Sequence, residues 1–318
     1  MWAWTIAVRR VRSERHYVHR RRRAALGAAV VVAAAVAAAI ALSGSGATAP
    51  PAASNASSPP TQTTPAGSTS APRTVVADGP RGTEPVPILM YHVILPAPAG
   101  APFPGLYVPP SEFAAQMHAL AAAGYHAVTM NEVWDNWHHG TPLPHGKPIV
   151  ISFDNGYESQ YHKAMPVLRA LGWVGVENLQ LSGLPPSQGG LSHPEIRALV
   201  RDGWELDTQG YSHADLVTLD ASELRFQVVD ARARIRALYH VSAEWFCYPS
   251  GDYDATVVAA VRAAGFRGST TVIPGWASPS EDAYRLPRLR VLAGTTPSEL
   301  LGEIAGIRGD APPGPSYG

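Results

Sequence analysis

Between residues 85 and 308 short β-rich runs alternate with helical ones, and this alternation constrains the fold more than any other feature. The runs "VPILMYHVI", "YHAVT", "PIVISF", "WVGVENL", "WELDT", "EWFCYP", "FRGSTT" and "RLRVL" read as strands. Between them lie helix signals. Thr129 with Glu132, Ser192 with Glu195 and Thr296 with Glu299 each fit the Ser/Thr-x-x-Glu capping box, and Asp220 reads as a plain N-cap. Gly124, Gly172, Gly203 and Gly265 stand where the helices should stop. Strands alternating with helices imply a parallel sheet covered by helices. So many strands in one stretch predict an α/β fold, a distorted or incomplete TIM-like (β/α) barrel. The alternative, an open doubly wound sheet, lacks its Gly-rich phosphate loop after the first strand.

What precedes the barrel is built differently. Residues 1–23 hold eight arginines and one acid, Glu14, which leaves 17 basic against 24 acidic residues for the rest of the chain. A basic tail on an acidic body points to a membrane address and away from nucleic acid. Residues 24–42 carry no charge, and as a helix they would span roughly 28 Å, close to the hydrocarbon thickness. We expect a transmembrane anchor there with its N-terminus inside, the alternative being a cleaved signal peptide that leaves the body secreted. Either way the body is exported. Residues 43–84 are rich in Ser, Thr, Pro and Ala and predict a disordered linker, and 309–318 form a loose tail. The single cysteine, Cys247, cannot form an internal disulfide and reads as a small buried apolar residue. No protein partner is implied.

Four polar clusters follow strands directly, at the barrel end where working residues gather. His92 ends "VPILMYH", Asp154 and Asn155 end "PIVISF", Asp207, Gln209 and His213 follow "WE", and "YPSGDYD" follows "EWFC". Each alone has a plain structural reading. Asp-Asn-Gly suits a tight turn, His213 can satisfy a loop, and His92 can be a satisfied core histidine. Together at one end they make a site.

The order Tyr-His, Ser-Phe-Asp-x-Gly, Ser-His-x-Asp-Leu, Tyr-Pro-x-Gly resembles the polysaccharide deacetylase (NodB-homology) family over residues 86 to about 305. The early "LMYH" looks like the branch acting on extracellular poly-N-acetylglucosamine. The resemblance implies hydrolysis of an N-acetyl group on an amino-sugar polymer or cell-wall glycan with a divalent metal, usually zinc. It makes Asp154 the base toward water and His92 the acid toward the leaving amine. The backbone N–H of Ser250 helps hold the oxyanion, and Tyr248 and Pro249 line the substrate. Its metal positions fall on Asn155, Gln209 and His213, so an aspartate and a histidine of the family's pattern are amides here. Neutral amides suit zinc poorly. Cys247 replaces the arginine that often begins the Pro-x-Gly motif.

The leading expectation is therefore an exported polysaccharide deacetylase-like hydrolase. The alternative is a silent or metal-free glycan-binding relative. A glycosidase pairing Asp154 with Asp207 or Asp252 ranks last, because no spacing singles out its second carboxylate. Trp137, in "WDNWHHG", is a candidate for stacking on a sugar ring.

Overall fold

The computed structural model describes residues 79–184 and 189–307. The expected anchor or signal segment, most of the linker and the C-terminal tail lie outside the described residues. No helix among the described residues is long and apolar enough to cross a membrane.

The strands are β1 (Val86–Tyr91), β2 (Tyr125–Ala127), β3 (Lys147–Asn155), β4 (Val176–Leu179), β5 (Glu205–Thr208), β6 (Trp245–Cys247), β7 (Gly268–Thr270), β8 (Trp276–Ala277) and β9 (Leu289–Arg290). Their order in the sheet is β7-β6-β5-β4-β3-β1-β8, with β2 on β3 and β9 on β1. The eight runs read from sequence correspond to β1–β7 and β9. These pair in parallel, and only the short β8 runs antiparallel, against Val86 and Pro87.

The sheet curls back on itself through residues 286–291. Leu286 exchanges backbone hydrogen bonds with β7, donating to Ser269 O and accepting from Thr271 N, and Val291 N donates to Met90 O of β1. That one segment carries the ladder from β7 to β1, and Arg288 sits in its middle. The result is a distorted (β/α) barrel.

Helices α1 (Pro110–Ala122), α2 (Met130–His139), α3 (Met165–Ala170), α4 (His193–Arg201), α5 (Ala221–Arg225), α6 (Ala231–Tyr239), α7 (Ala255–Ala263) and α8 (Pro297–Ile307) fill most of the connections. The Thr129, Ser192 and Thr296 capping boxes form, and Asp220 makes one too, with Glu223. Two π-helical turns interrupt the regular pattern: Gln160–Ala164 leads into α3, and Phe226–Asp230 joins α5 to α6.

The apolar core has two parts. One lies between sheet and helices, where Tyr91, Phe113, Phe153 and Trp204 form a chain of ring contacts at 5.1–5.9 Å. Each such pair is worth about 1 kcal/mol beyond its area. Tyr91 and Phe153 immediately precede His92 and Asp154, so this packing fixes the strands that present them. The other part, with Val86, Ile88, Val150, Val176, Trp245 and Trp137, lies toward the amino ends of β1 and β6.

Trp137 thus departs from expectation. It is 4% exposed, its indole N–H donates to Glu84 O at 3.0 Å, and it packs at the barrel end away from His92 and Asp154. Its ring faces are occupied by core side chains and cannot take a sugar. Glu84 and Gly82, read as the end of the linker, are held against α2: Gly82 N donates to Asn136 O.

Candidate active site

Asp154, next to last in β3, points into the barrel and is only 1% exposed. Its neighbours in register are Asn178 on β4 and Asp207 on β5, so three polar side chains share one level and one face of the sheet. Asn178 Nδ2–H donates to Asp154 Oδ1 at 2.9 Å. The main partner of Asp154 is Arg288, whose Nη1–H and Nη2–H donate to Oδ1 at 2.8 Å and Oδ2 at 2.9 Å. Arg288 also donates to Thr271 O, Ser152 Oγ and Cys247 Sγ, which gives each of its five N–H groups an acceptor. Burial opposes the charge on Asp154, but the guanidinium overrides it and holds the carboxyl at about 2.

His92 Nε2 lies 4.0 Å from Asp154 Oδ2, and its Nδ1 is buried without a hydrogen-bond partner among the described residues. Burial pushes its pKa down to about 4 against the pull of Asp154, so His92 is neutral at pH 7. The two residues are locked together by Gln160. Its Nε2 donates to both His92 O and Asp154 O at 2.9 Å, and its Oε1 accepts from Tyr157 N. Gln160 opens the first π turn, a wider turn that here sets a side-chain amide beneath two strand ends.

Asn155 has φ 79° and Gly156 φ 89°, so the chain leaves β3 through two left-handed residues. Asparagine is among the few non-glycine residues that tolerate this region. The φ of Gly156 favours glycine, and a Cβ there would meet Leu179 Cδ1 at 2.6 Å, so that side-chain end would also have to shift.

The loop after β5 carries Gln209 and His213. The second π turn holds it: Gln227 Oε1 accepts from Tyr211 N and Ser212 N at 2.9 Å, and Nε2 donates to Ser212 Oγ. Gln209 Oε1 is buried with no hydrogen-bond partner among the described residues. His213, at φ 52°, is partly buried, and that burial lowers its pKa although Asp154 and Asp252 pull the other way.

The structure therefore brings His92, Asp154, Asn155, Gln209 and His213 to one mouth, but not as a zinc-type site. The three metal positions supply one imidazole and two neutral amides. Among the described residues no group of three or more His, Cys, Asp or Glu side chains is disposed to hold a metal ion. The donor set does not fit the ion that the resemblance implies.

Ser250 is exposed in the turn Pro249–Gly251 with φ 57°, at the end of β6. Tyr248 points away from the mouth. Tyr248 alternates outward with Phe246, stacks on Tyr253, donates its hydroxyl to Tyr284 O and is buried; Pro249 is buried in the turn. Asp207 is also unsuited to act on a sugar. It is fully buried, its Oδ1 accepts from Glu244 N and Trp245 N, and burial plus neighbouring Glu205 raise its pKa well above the carboxylate range. Cys247 is buried in contact with Arg288, and burial pushes its thiol up to about 12.

Sequence reasoning missed Arg288, Asn178, Gln160 and Gln227. For Arg288 a signal existed: "LPRLRV" sets two arginines, Arg288 and Arg290, on the same face of an apolar strand-like run. Its guanidinium bonds the thiol of Cys247, the residue found where the family's motif often has arginine, but it arrives from the other side of the barrel closure.

Residues 143–269 match the family model for polysaccharide deacetylase. The Bacillus subtilis protein YxkH, named as a polysaccharide deacetylase, is 27% identical over 223 residues, covering 70% of this chain and 77% of that one. A poly-β-1,6-N-acetyl-D-glucosamine N-deacetylase of Escherichia coli is 37% identical over 57 residues, 18% of this chain and 8% of that protein. The crystal structure of a Bacillus anthracis polysaccharide deacetylase superposes with TM-score 0.62 at 25% identity, covering 70% of this chain and 69% of that one.

Proposed function

We propose that this chain, a member of the polysaccharide deacetylase family, hydrolyses N-acetyl groups on an extracytoplasmic amino-sugar polymer of the poly-N-acetylglucosamine type. The observation that carries this reading is the ionised Asp154 beside a neutral His92 at the mouth of the barrel. Asp154 takes a proton from the attacking water, whose oxygen bonds the acetyl carbonyl carbon. His92, neutral at pH 7, receives that proton and passes it to the amine as the C–N bond breaks, leaving acetate and a free amino sugar. The Ser250 N–H is assigned to the oxyanion. No step is routed through a metal, since the donor set does not fit one. Residues 1–42 support export, by anchor or signal peptide.

The test is acetate release from poly-β-1,6-N-acetylglucosamine by the full chain. We expect turnover in the wild type and at least a 100-fold loss in Asp154→Asn; equal rates would sink the assignment. A second reading, sugar binding without cleavage, is favoured by Asn155 and Gln209 and by the low basicity that Arg288 imposes on Asp154. If the wild type is silent and the double replacement Asn155→Asp with Gln209→His releases acetate in the presence of zinc, that reading replaces the first.

A further inference from the structure

The chain has five asparagines, and only Asn155 is followed by glycine. Asparagine is a chemically labile residue, and a following glycine makes it more so. The amide nitrogen of that glycine can attack the side-chain carbonyl carbon and close a five-membered ring, with no Cβ in the way. Whether a folded chain permits this depends on how firmly the two groups are held. Here neither is held. The Asn155 side chain and the Gly156 N–H have no hydrogen-bond partner among the described residues. The pairing with β4 ends at Asn155 O, which accepts from Gln180 N at 3.4 Å, so Gly156 N lies beyond the ladder. Asn155 is partly exposed at the mouth, where water reaches it.

The other three described asparagines are held. Asn131 and Asn136 lie within α2: Asn131 Oδ1 accepts from Trp245 Nε1 and Arg267 Nη1, and Asn136 Nδ2 donates to Thr141 O. Asn178 lies within β4 and donates to Asp154. The residues that follow them are Glu132, Trp137 and Leu179, all with large side chains.

We propose that Asn155–Gly156 is a self-modification site, at which the folded chain slowly exchanges the side-chain amide for a carboxylate. Gly156 N bonds Asn155 Cγ, the Cγ–Nδ2 bond breaks, and that nitrogen leaves as ammonia with the Gly156 proton. Water then opens the ring. Attack at Cγ gives aspartate with the main chain restored; attack at the Asn155 carbonyl carbon gives isoaspartate, with the main chain rerouted through Cβ and Cγ. The inference does not depend on the N-acetyl hydrolase reading. It bears on the misfit at the metal positions. Among Asn155, Gln209 and His213, conversion replaces one of two neutral amides by a charged oxygen donor. The new charge also stands next to Asp154, whose own charge is already met by Arg288, so it calls for a further cation.

The experiment holds the full chain for four weeks at pH 5 and at pH 8.5, and follows residue 155 by peptide mapping that separates aspartate from isoaspartate. Ring closure needs the amide nitrogen to lose its proton, so conversion should be at least tenfold faster at pH 8.5, with Asn131, Asn136 and Asn178 unchanged. Asn155→Gln, which would have to close a six-membered ring, should keep its amide. An intact amide at Asn155 after incubation at pH 8.5, equal conversion at the other asparagines, or conversion only in urea overturns the site. The converted form, separated by anion exchange, is then dialysed against trace zinc. We expect it, like Asn155→Asp, to retain zinc that the amide form loses; equal retention would overturn the link to the metal positions.

Discussion

Replacing Arg288 by methionine should unfasten both the site and the barrel closure. The side chain is 1% exposed, and its removal leaves the Asp154 carboxylate buried with Asn178 and the Cys247 thiol for partners. Losing one partner of a buried ion pair costs about 3–5 kcal/mol at pH 7. For a domain of this size that lowers Tm by roughly 10 °C. The pH dependence gives a second reading of the same bond. In the wild type the folded pKa of Asp154, about 2, lies below its ordinary value of 3.8. Its contribution of roughly 2 kcal/mol is therefore present above pH 4 and lost as pH falls toward 2. Without Arg288, burial dominates and raises the pKa above 3.8, so acid neutralises the carboxylate and relieves the variant. The stability gap should accordingly be widest at pH 7 and narrower at pH 4.5. Thermal and urea denaturation followed by circular dichroism at the two pH values would measure it. A gap below about 1 kcal/mol at pH 7, or one equal at both, would refute the argument that this pair governs Asp154.

Three further outcomes follow from particular contacts. Gln160→Leu removes the donor that ties His92 O to Asp154 O, and kcat for acetate release should fall at least tenfold with little change in KM; a pure KM effect would assign Gln160 to substrate binding instead. Glu205 and Asp207 are both raised, chiefly by burial, so they destabilise the fold increasingly as pH rises above the ordinary carboxylate range. Glu205→Gln should therefore match the wild type in Tm at pH 5 and equal or exceed it at pH 8, and a lower Tm at pH 8 would count against the shared burden. Cys247, buried with its thiol pushed up to about 12, should resist a thiol reagent in the native protein and react fully in urea; rapid native labelling would show that the Arg288 cluster opens.

Much of the barrel was readable because its signals are local. A capping box such as Thr129 with Glu132 needs only four residues, and the apolar run "PIVISF" needs only its own composition to make a strand. The acid that follows, Asp154, could be placed at a strand's carboxyl end for the same reason. What failed were the inferences for Trp137 and Tyr248, which needed to know which way a side chain faces. Trp137 looked like a sugar-stacking residue, yet its helix turns it into the core. Tyr248 belongs to the motif that borders the site, yet strand alternation aims it into the helix layer while Cys247 takes the inward position. The π turns that put Gln160 and Gln227 under the loops leave no mark in propensity, since they differ from α-helix only in spacing.

The sequence alone determined the order of strands and helices, the carboxyl-end location of His92, Asp154 and His213, and the amides at Asn155 and Gln209 that depart from a zinc-binding set. Each of these depends on residue type and neighbours in the chain. Tertiary structure decided that Arg288, 134 residues from Asp154, is its partner. Ring closure through residues 286–291 brings that guanidinium into the lumen, and at such a separation only the long-range geometry of the sheet can choose the pair. The charge state of the site follows from that choice. Burial pushes the Asp154 carboxyl up, and the arginine on which the barrel closes is the main group that brings it down to about 2.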